Sequence, residues 1–130
     1  MQSQGGAAQR VLVVEDSPDL RKLLTLQLTF GGYAVICADN GVEALQLADT
    51  SDPDMLLTDV LMPMLSGTDL LRRLRAMPRF SSLPVVLYTG MNVDASEDIR
   101  EALLLPLVRC VQKGAAMSVM LEALAELSAA

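Results

Sequence analysis

The segment Asp54-Met55-Leu56-Leu57-Thr58-Asp59 is an apolar run that ends on a carboxylate, and Val60-Leu61-Met62-Pro63-Met64-Leu65-Ser66-Gly67 then turns the chain away. A short apolar run bounded by turn residues is typical of a buried strand. An earlier apolar run, Val11-Leu12-Val13-Val14, also ends in acid, at Glu15-Asp16. If the two strands lie parallel, these carboxylates meet Asp59 at one edge of a sheet. Carboxylates placed in this way repel one another unless a cation lies among them, and their hard oxygen ligands predict a Mg2+ site.

Length and composition are those of one compact domain. The chain has 130 residues, of which 52% are hydrophobic, enough to bury a real core. We predict a flexible, polar leader over residues 1–9 and one folded domain over residues 10–130. The net charge of -6 argues against a direct nucleic-acid surface. No apolar run reaches the roughly 20 residues that cross a bilayer, and the first residues lack the apolar core of a signal peptide, so we expect a soluble, cytoplasmic protein with no membrane partner.

Residue types that are missing or sparse exclude several kinds of chemistry. The chain has no histidine, which excludes histidine-based general base catalysis and a phosphohistidine carrier role. Its two cysteines, Cys37 and Cys110, lack C-x-x-C spacing, which argues against a zinc site and thioredoxin-type chemistry. We expect both to be buried free thiols. Any phosphoryl chemistry must therefore use carboxylates, hydroxyls and lysine.

Short apolar runs alternate with segments of helical period along the chain. Strands are predicted over residues 11–14, 33–38, 55–58, 85–88 and 107–111. Helix faces are predicted for Leu20, Leu23, Leu24, Gln27 and Leu28, for Gly67, Leu70, Leu71 and Leu74, and for Met117, Met120, Leu121 and Leu124. This alternation predicts an α/β fold with a parallel sheet and helices on both faces, because crossovers between parallel strands are almost always right-handed. Periodicity alone does not fix the strand order.

The candidate reactive side chains all follow predicted strands. Besides the acids, Thr89 follows the fourth strand and Lys113 the fifth. In open α/β sheets, ligands bind at the carboxyl ends of the strands. A hydroxyl and an ammonium beside a cluster of carboxylates and a metal suit phosphoryl transfer, which consists mostly of positioning and charge neutralisation. Asp59 would attack the phosphorus as the nucleophile, and Lys113 would offset the developing negative charge.

Four short motifs, taken together and in order, resemble the receiver domain of two-component response regulators. They are Val-Val-Glu15-Asp16-Ser-Pro, Thr58-Asp59-Val-Leu-Met-Pro63-Met-Leu-Ser-Gly67, Leu-Pro84-Val-Val-Leu-Tyr-Thr89-Gly90 and Val-Gln-Lys113. The resemblance covers residues 10–127. It implies a flavodoxin-like, doubly wound sheet of five parallel strands in the order 2-1-3-4-5, with five helices. It also implies that a histidine kinase or a histidine phosphotransfer protein phosphorylates Asp59, and that the domain catalyses only its own phosphorylation and dephosphorylation.

The same resemblance implies a role for each residue of the site. Mg2+ would be held by Asp16, Asp59 and the carbonyl of Leu61, with Glu15 holding a metal-bound water. Thr89 would hydrogen-bond the phosphoryl oxygens, and Lys113 would pair with them. The implied partners are an output domain or partner protein, and a second copy in a homodimer through the fourth helix, fifth strand and fifth helix. The implied strand order puts Cys37 and Cys110 at opposite edges of the sheet, roughly 19 Å apart and too far for a disulfide.

Two residues depart from the family pattern. Receivers usually follow the lysine with proline in a cis peptide, whereas this chain has Gly114. Because a cis bond without proline costs about 3 kcal/mol, we predict a trans Lys113–Gly114 bond. Many receivers have an aromatic switch residue three positions before the lysine, whose rotation follows that of the threonine, here Thr89. This chain has Cys110 there, and since a thiol cannot sweep the volume of a ring, we expect coupling by backbone motion or a phosphoryl relay with little switching.

Two other functions remain open. A pseudo-receiver would bind its partner without phosphorylation, and the departures at Gly114 and Cys110 are compatible with that function. An aspartyl phosphatase of the haloacid dehalogenase type would need a second aspartate two residues after the nucleophile, where this chain has Leu61. The phosphatase is therefore the weaker alternative.

Overall fold

The computed structural model describes residues 8–129, in which strands and helices alternate along the chain. The elements are β1 Arg10–Val14, α1 Pro18–Phe30, β2 Ala34–Ala38, α2 Gly41–Ser51, β3 Met55–Asp59, α3 Gly67–Arg75, β4 Val85–Thr89, α4 Glu97–Ala102, β5 Val108–Gln112 and α5 Met117–Ala129. Short 3-10 turns at Pro78–Phe80 and Val93–Ala95 precede β4 and α4. All strand pairings are parallel and the order is β2-β1-β3-β4-β5, which confirms the doubly wound sheet.

The sheet separates two apolar layers. Alternate residues of a strand face opposite sides, so Leu56 and Leu87 pack against α2, α3 and α4, whereas Leu57 and Val86 pack against α1 and α5. The central strand β3 is buried at every position, including its last residue, Asp59. The carboxylate of Asp59 therefore lies at the edge of the hydrophobic core and is still buried.

Capped helices begin at the edge of the sheet where the strands end. Ser17, Asn40 and Ser66 precede α1, α2 and α3, and each side chain accepts a hydrogen bond from a backbone N–H of the first turn. Such caps satisfy donors that would otherwise be unpaired at a helix start. The loops after β1, β2 and β3 are therefore fixed at both ends.

The structure corrects the sequence predictions for three side chains. Leu107 was predicted to start the last strand, but its φ of 60° is left-handed, so β5 starts at Val108. Leu23 was placed on the buried face of α1, yet it is 48% exposed. Cys37 was expected to be buried, but it lies exposed on the edge strand β2, while Cys110 in β5 is half-buried. Both are free thiols at opposite edges, as predicted.

The predicted leader over residues 1–9 and the predicted domain over residues 10–130 stay predictions. Residues 1–7 of the predicted leader lie outside the described residues, as does Ala130. Gln9 was assigned to the leader, but its carbonyl accepts a hydrogen bond of 2.9 Å from the N–H of Ala34 in β2. Gln9 therefore takes part in the hydrogen bonding at the start of the β1–β2 pair.

The Lys113–Gly114 turn has the predicted peptide geometry. No peptide bond in the described part of the chain is cis, so this bond is trans. Gly114 has a φ of +93°, in the left-handed region that favours glycine. Proline could not take its place here, since its ring fixes φ near about -65°.

Among residues 8–129 no helix combines the length and the apolar character required to cross a membrane.

Candidate functional site

Glu15 and Asp16 follow β1 directly and differ in exposure. Glu15 continues the sheet, since its N–H donates to the Ala38 carbonyl at 3.1 Å, and its side chain is buried. Its Oε2 accepts a hydrogen bond of 3.0 Å from the N–H of Ser17, whereas its buried Oε1 accepts none. Asp16 is exposed. A buried, under-coordinated carboxylate oxygen at a sheet edge is a candidate ligand for a cation.

Asp59 ends the central strand and is only 5% exposed. Its Oδ1 accepts a weak hydrogen bond of 3.3 Å from the N–H of Leu61. Its Oδ2 accepts one of 2.9 Å from the ammonium of Lys113. The carboxylate is thus oriented from two sides, by the loop that follows β3 and by the lysine that follows the edge strand β5.

Gly67 shapes the backbone of Asp59, a role that the sequence analysis did not detect. A Cβ added at position 67 would lie 2.1 Å from the Asp59 carbonyl oxygen, closer than any real contact. The Gly67 N–H also donates to the Val60 carbonyl at 2.9 Å. The start of α3 therefore lies against the backbone of the acid. The sequence predicts Gly67 as the end of a turn and as the first residue of a helix face, and neither prediction indicates a contact with Asp59.

Thr89 and Lys113 come together through their backbones. The Lys113 N–H donates to the Thr89 carbonyl at 2.8 Å, which extends the β4–β5 pairing past the end of β5. Thr89 is buried, and its hydroxyl oxygen accepts a hydrogen bond of 2.9 Å from the N–H of Met91. The hydroxyl proton of Thr89 remains available to a group at the sheet edge.

Glu15, Asp16 and Asp59 form the cluster that the sequence predicted. One carboxylate oxygen from each lies within 4.8 Å of the others. The Lys113 ammonium lies 3.5 Å from Glu15 Oε1 and 2.9 Å from Asp59 Oδ2, with 32% of its side chain exposed. One lysine charge thus faces two buried carboxylates, and the exposed carboxylate of Asp16 lies beside these two.

Burial and charge perturb the groups of this cluster. Burial raises the pKa of Glu15, the negative charge of Asp59 raises it further, and the Ser17 N–H opposes both. Burial alone would lower the pKa of Lys113, but the hydrogen bond and the charge of Asp59, helped by Glu15, outweigh it and raise that pKa above its usual range. The site therefore favours a charged Lys113 and disfavours the ionised form of Glu15.

The donor set fits Mg2+. Three carboxylates supply hard oxygen ligands, the class that this cation prefers. Glu15 Oε1 is buried and accepts no hydrogen bond, since the Lys113 ammonium at 3.5 Å only forms an ion pair with it, so this oxygen can still accept one from a metal-bound water. Leu61 is 64% exposed, and the proposed role of its carbonyl stays a prediction.

Cys110 lies apart from this group. It is paired with Leu87 inside the sheet and packs against the apolar layer covered by α2, α3 and α4. Burial raises the pKa of its thiol. Its predicted part in switching stays a prediction.

Two further side chains touch the site, and neither was predicted. Arg21 on α1 donates to the Glu15 carbonyl at 2.7 Å, which fastens the end of β1 to the first helix. The ring centroid of Tyr88 lies 5.7 Å from the ammonium of Lys113. Neither contact joins neighbours in the sequence, which is why motif spacing did not suggest them.

The fold, together with the cluster of acids and the lysine at the carboxyl edge of its sheet, is that of a signal receiver domain. Residues 11–125 match the response regulator receiver domain family, and the chain belongs to that family.

Proteins similar in sequence include a response regulator and a sensor histidine kinase. The chain is 39% identical over 98 residues to an uncharacterised 14.6 kDa protein of Leptolyngbya boryana, covering 75% of this chain and 72% of that one. It is 41% identical over 83 residues to the response regulator MprA of Mycobacterium ulcerans, covering 64% of this chain and 35% of MprA. It is 34% identical over 103 residues to the sensor histidine kinase TmoS of Ectopseudomonas mendocina, covering 75% of this chain and 10% of TmoS. The chain thus spans about a third of MprA and a tenth of TmoS.

Solved structures show the same fold. The receiver domain of a signal transduction histidine kinase from Syntrophus aciditrophicus is 30% identical, with a TM-score of 0.83 over 94% of this chain and 91% of that one. The receiver domain of the sensor histidine kinase PA1611 from Pseudomonas aeruginosa is 25% identical, with a TM-score of 0.82 over 95% of this chain and 100% of that one. The PA1611 structure has a magnesium ion coordinated in its active site cleft.

Proposed function

We propose that this domain accepts a phosphoryl group on Asp59 from a histidine kinase or a histidine phosphotransfer protein, in a reaction that requires Mg2+. The observation that carries the proposal is the ion pair between Lys113 and Asp59, 2.9 Å long, inside a cluster of carboxylates at the carboxyl edge of the sheet. A structural acid would need only the lysine. Glu15 and Asp16 lie at the same edge, and a second cation besides Lys113, namely Mg2+, explains their presence.

Asp59 is the nucleophile in this proposal. One of its carboxylate oxygens forms a bond to phosphorus while the bond from phosphorus to the donor nitrogen breaks, and the bonding electrons leave with the nitrogen. The product is an acyl phosphate on Asp59 and a dephosphorylated histidine on the donor. The Leu61 N–H and the Lys113 ammonium hold the carboxylate before the reaction, so little reorganisation is required.

Lys113 and Thr89 receive the transferred group. When Asp59 Oδ2 bonds to phosphorus, the Lys113 ammonium leaves that oxygen and pairs with a phosphoryl oxygen. The Thr89 hydroxyl already accepts a hydrogen bond from Met91, so its proton is free to be donated to a second phosphoryl oxygen. Both groups stabilise negative charge on the phosphoryl oxygens during the transfer. Interactions that are stronger in the transition state than in the free protein lower the barrier to phosphoryl transfer.

Asp16 and Asp59 would bind Mg2+ directly, with the Leu61 carbonyl, and Glu15 would bind it through a water. An ion held by these residues would supply positive charge to offset that of the phosphoryl oxygens. Magnesium in the active site cleft of the PA1611 receiver supports this assignment. The chain's own contribution is to hold Glu15 Oε1 and Asp59 close together and free of competing donors other than Lys113.

We infer that the domain acts on itself and turns over no external substrate. A phosphatase with an aspartyl nucleophile needs an acid/base group two residues further on, and Leu61 there has no titratable atom. The phosphoryl group would then leave to water or to a histidine of a partner, while the phosphorylated domain signals to an output domain or a partner protein.

Acetyl phosphate with Mg2+ tests the proposal. Intact mass spectrometry should show one added phosphoryl group on the wild type, none in excess EDTA and none on Asp59→Asn. Asp49→Asn, at the far end of α2, is the matched control and should be phosphorylated like the wild type. A wild type that stays unmodified would favour the pseudo-receiver, and an equal yield on Asp59→Asn would refute the assignment of Asp59.

A further inference from the structure

We propose that Tyr88 is a positioning residue for Lys113: the face of its ring holds the ammonium over the carboxylates of Asp59 and Glu15. The importance of this for the reaction rests on the proposed function, because there Lys113 acts on the phosphoryl group. The contact itself exists in the unphosphorylated protein and can be measured without any phosphoryl donor.

The strand order places Lys113 two strands away from Asp59, so its side chain has to span that distance to reach the carboxylate. The residue follows β5, whereas Asp59 ends β3, two strands away. Two strand spacings amount to about 9–10 Å. The lysine side chain must therefore cross the end of β4 before its ammonium meets Asp59. A long, flexible side chain loses much rotamer freedom when it is held in one such extended path.

Tyr88 lies on that path. In the register of the sheet it is the partner of Asp59 on one side and of Val111 on the other. Its side chain packs with the apolar layer under α1 and α5 and is only partly buried. Its ring centroid is 5.7 Å from the Lys113 ammonium, inside the distance of about 6 Å at which a ring face attracts a cation.

The ring of Tyr88 attracts the Lys113 ammonium in a way that the carboxylates of Asp59 and Glu15 cannot. Lys113 is 2.9 Å from Asp59 and 3.5 Å from Glu15, and a third of its side chain is exposed, so the ammonium has two competing acceptors and an open route to water. An aromatic face attracts the cation without taking a proton and without competing for a metal. The tyrosine hydroxyl has no part in this contact, so phenylalanine should replace tyrosine without loss.

Nuclear magnetic resonance of lysine labelled with carbon-13 tests the contact directly. The sequence contains two lysines, Lys113 and Lys22, and Lys22 is exposed on α1, so it is an internal reference. The ring current should shift the ε protons of Lys113 upfield of those of Lys22 in the wild type and in Tyr88→Phe. In Tyr88→Leu this upfield shift should be lost, so that the ε protons of Lys113 move toward those of Lys22. Should Tyr88→Leu fail to fold, Tyr88→Val, whose β-branched side chain suits a strand, replaces it with the same expectation.

Phosphorylation by acetyl phosphate at saturating Mg2+ tests the consequence. Tyr88→Phe should react at the wild-type rate, and Tyr88→Leu roughly two- to fivefold more slowly, as expected from the strength of a partly exposed cation–π contact. An unchanged Lys113 spectrum in Tyr88→Leu overturns the proposal, as does a Tyr88→Phe variant that matches Tyr88→Leu in spectrum or rate. A wild type that shows the ring shift but is never phosphorylated would overturn the proposed function and leave Tyr88 as the residue that positions Lys113.

Discussion

Lys113 and Asp59 are 54 residues apart in the chain, and their side chains meet at 2.9 Å at the carboxyl edge of the sheet. The contact joins the end of β5 to the end of β3 across the intervening strand. It also sets one positive charge against Asp59 and Glu15, both buried. The same lysine should therefore stabilise the free protein and weaken the binding of Mg2+ that we propose.

Removing the lysine should separate these two effects. In EDTA, Lys113→Ala should lower the free energy of unfolding by about 1–3 kcal/mol, less than for a fully buried pair because a third of the side chain is exposed. Added Mg2+ should stabilise the variant more than the wild type, since no lysine charge repels the ion. Urea titrations with and without Mg2+ measure both quantities.

The control for this variant is Lys22→Ala, a change at an exposed lysine of α1. Its effect should stay within about 0.5 kcal/mol in either condition. Equal gains from Mg2+ in Lys113→Ala and the wild type would show that Lys113 does not face the metal site.

Glu15 should make stability depend on pH in the absence of metal. Its pKa is raised above 4.5 on folding, so between the two pKa values the folded chain binds a proton more readily than the unfolded chain. Ionised Glu15 then destabilises the protein as pH rises through the folded pKa, and this cost vanishes below 4.5. In EDTA at neutral pH, the free energy of unfolding of Glu15→Gln should be about 1 kcal/mol higher than that of the wild type, because the neutral amide removes the cost of burying an ionised carboxylate beside Asp59.

Thermal or urea unfolding of Glu15→Gln across the acid range checks this sign. The advantage of the variant should shrink as pH falls below the folded pKa, whereas Glu126→Gln, on the exposed side of α5, should follow the wild type throughout. A variant less stable than the wild type at neutral pH in EDTA would show that Lys113 already compensates the charge of Glu15.

Gly67 should be far less tolerant of a methyl group than Gly90. A Cβ at position 67 meets the Asp59 carbonyl at 2.1 Å, so Gly67→Ala must displace that backbone and should cost about 1–3 kcal/mol. Nothing lies within 4 Å of a Cβ at position 90, so Gly90→Ala should change stability by about 0.5 kcal/mol or less. Urea unfolding compares the two, and equal costs would show that α3 can move away from Asp59 without penalty.

The two thiols should react at different rates. Cys37 is exposed on β2, while Cys110 is half-buried and the pKa of its thiol is raised by burial, so less of it is thiolate at neutral pH. Alkylation with iodoacetamide should modify Cys37 first, and unfolding should make both react. Cys37→Ser should leave only the slow phase, whereas a persistent fast phase would place Cys110 at the surface.

Sequence alone predicted the doubly wound sheet and the acids at its edge, because strands such as Met55–Asp59 are uniformly buried and their ends are marked by polar residues. The strand order came from the family resemblance, since periodicity does not record which strands pair. The exposures of Leu23 and Cys37 were missed because an apolar residue on an outer helix or an edge strand is buried only if another element covers it. Gly67 and Tyr88 were missed for a related reason: both act on residues that the fold, and not the chain, brings near.

Reductive trapping of the acyl phosphate tests the central claim most directly. After reaction with acetyl phosphate and Mg2+, borohydride converts an aspartyl phosphate to homoserine, which peptide mass spectrometry locates. Our account predicts homoserine at position 59, with Asp16 unmodified and no homoserine when Mg2+ is withheld. Homoserine at another acid, or a metal-independent yield at position 59, would contradict it.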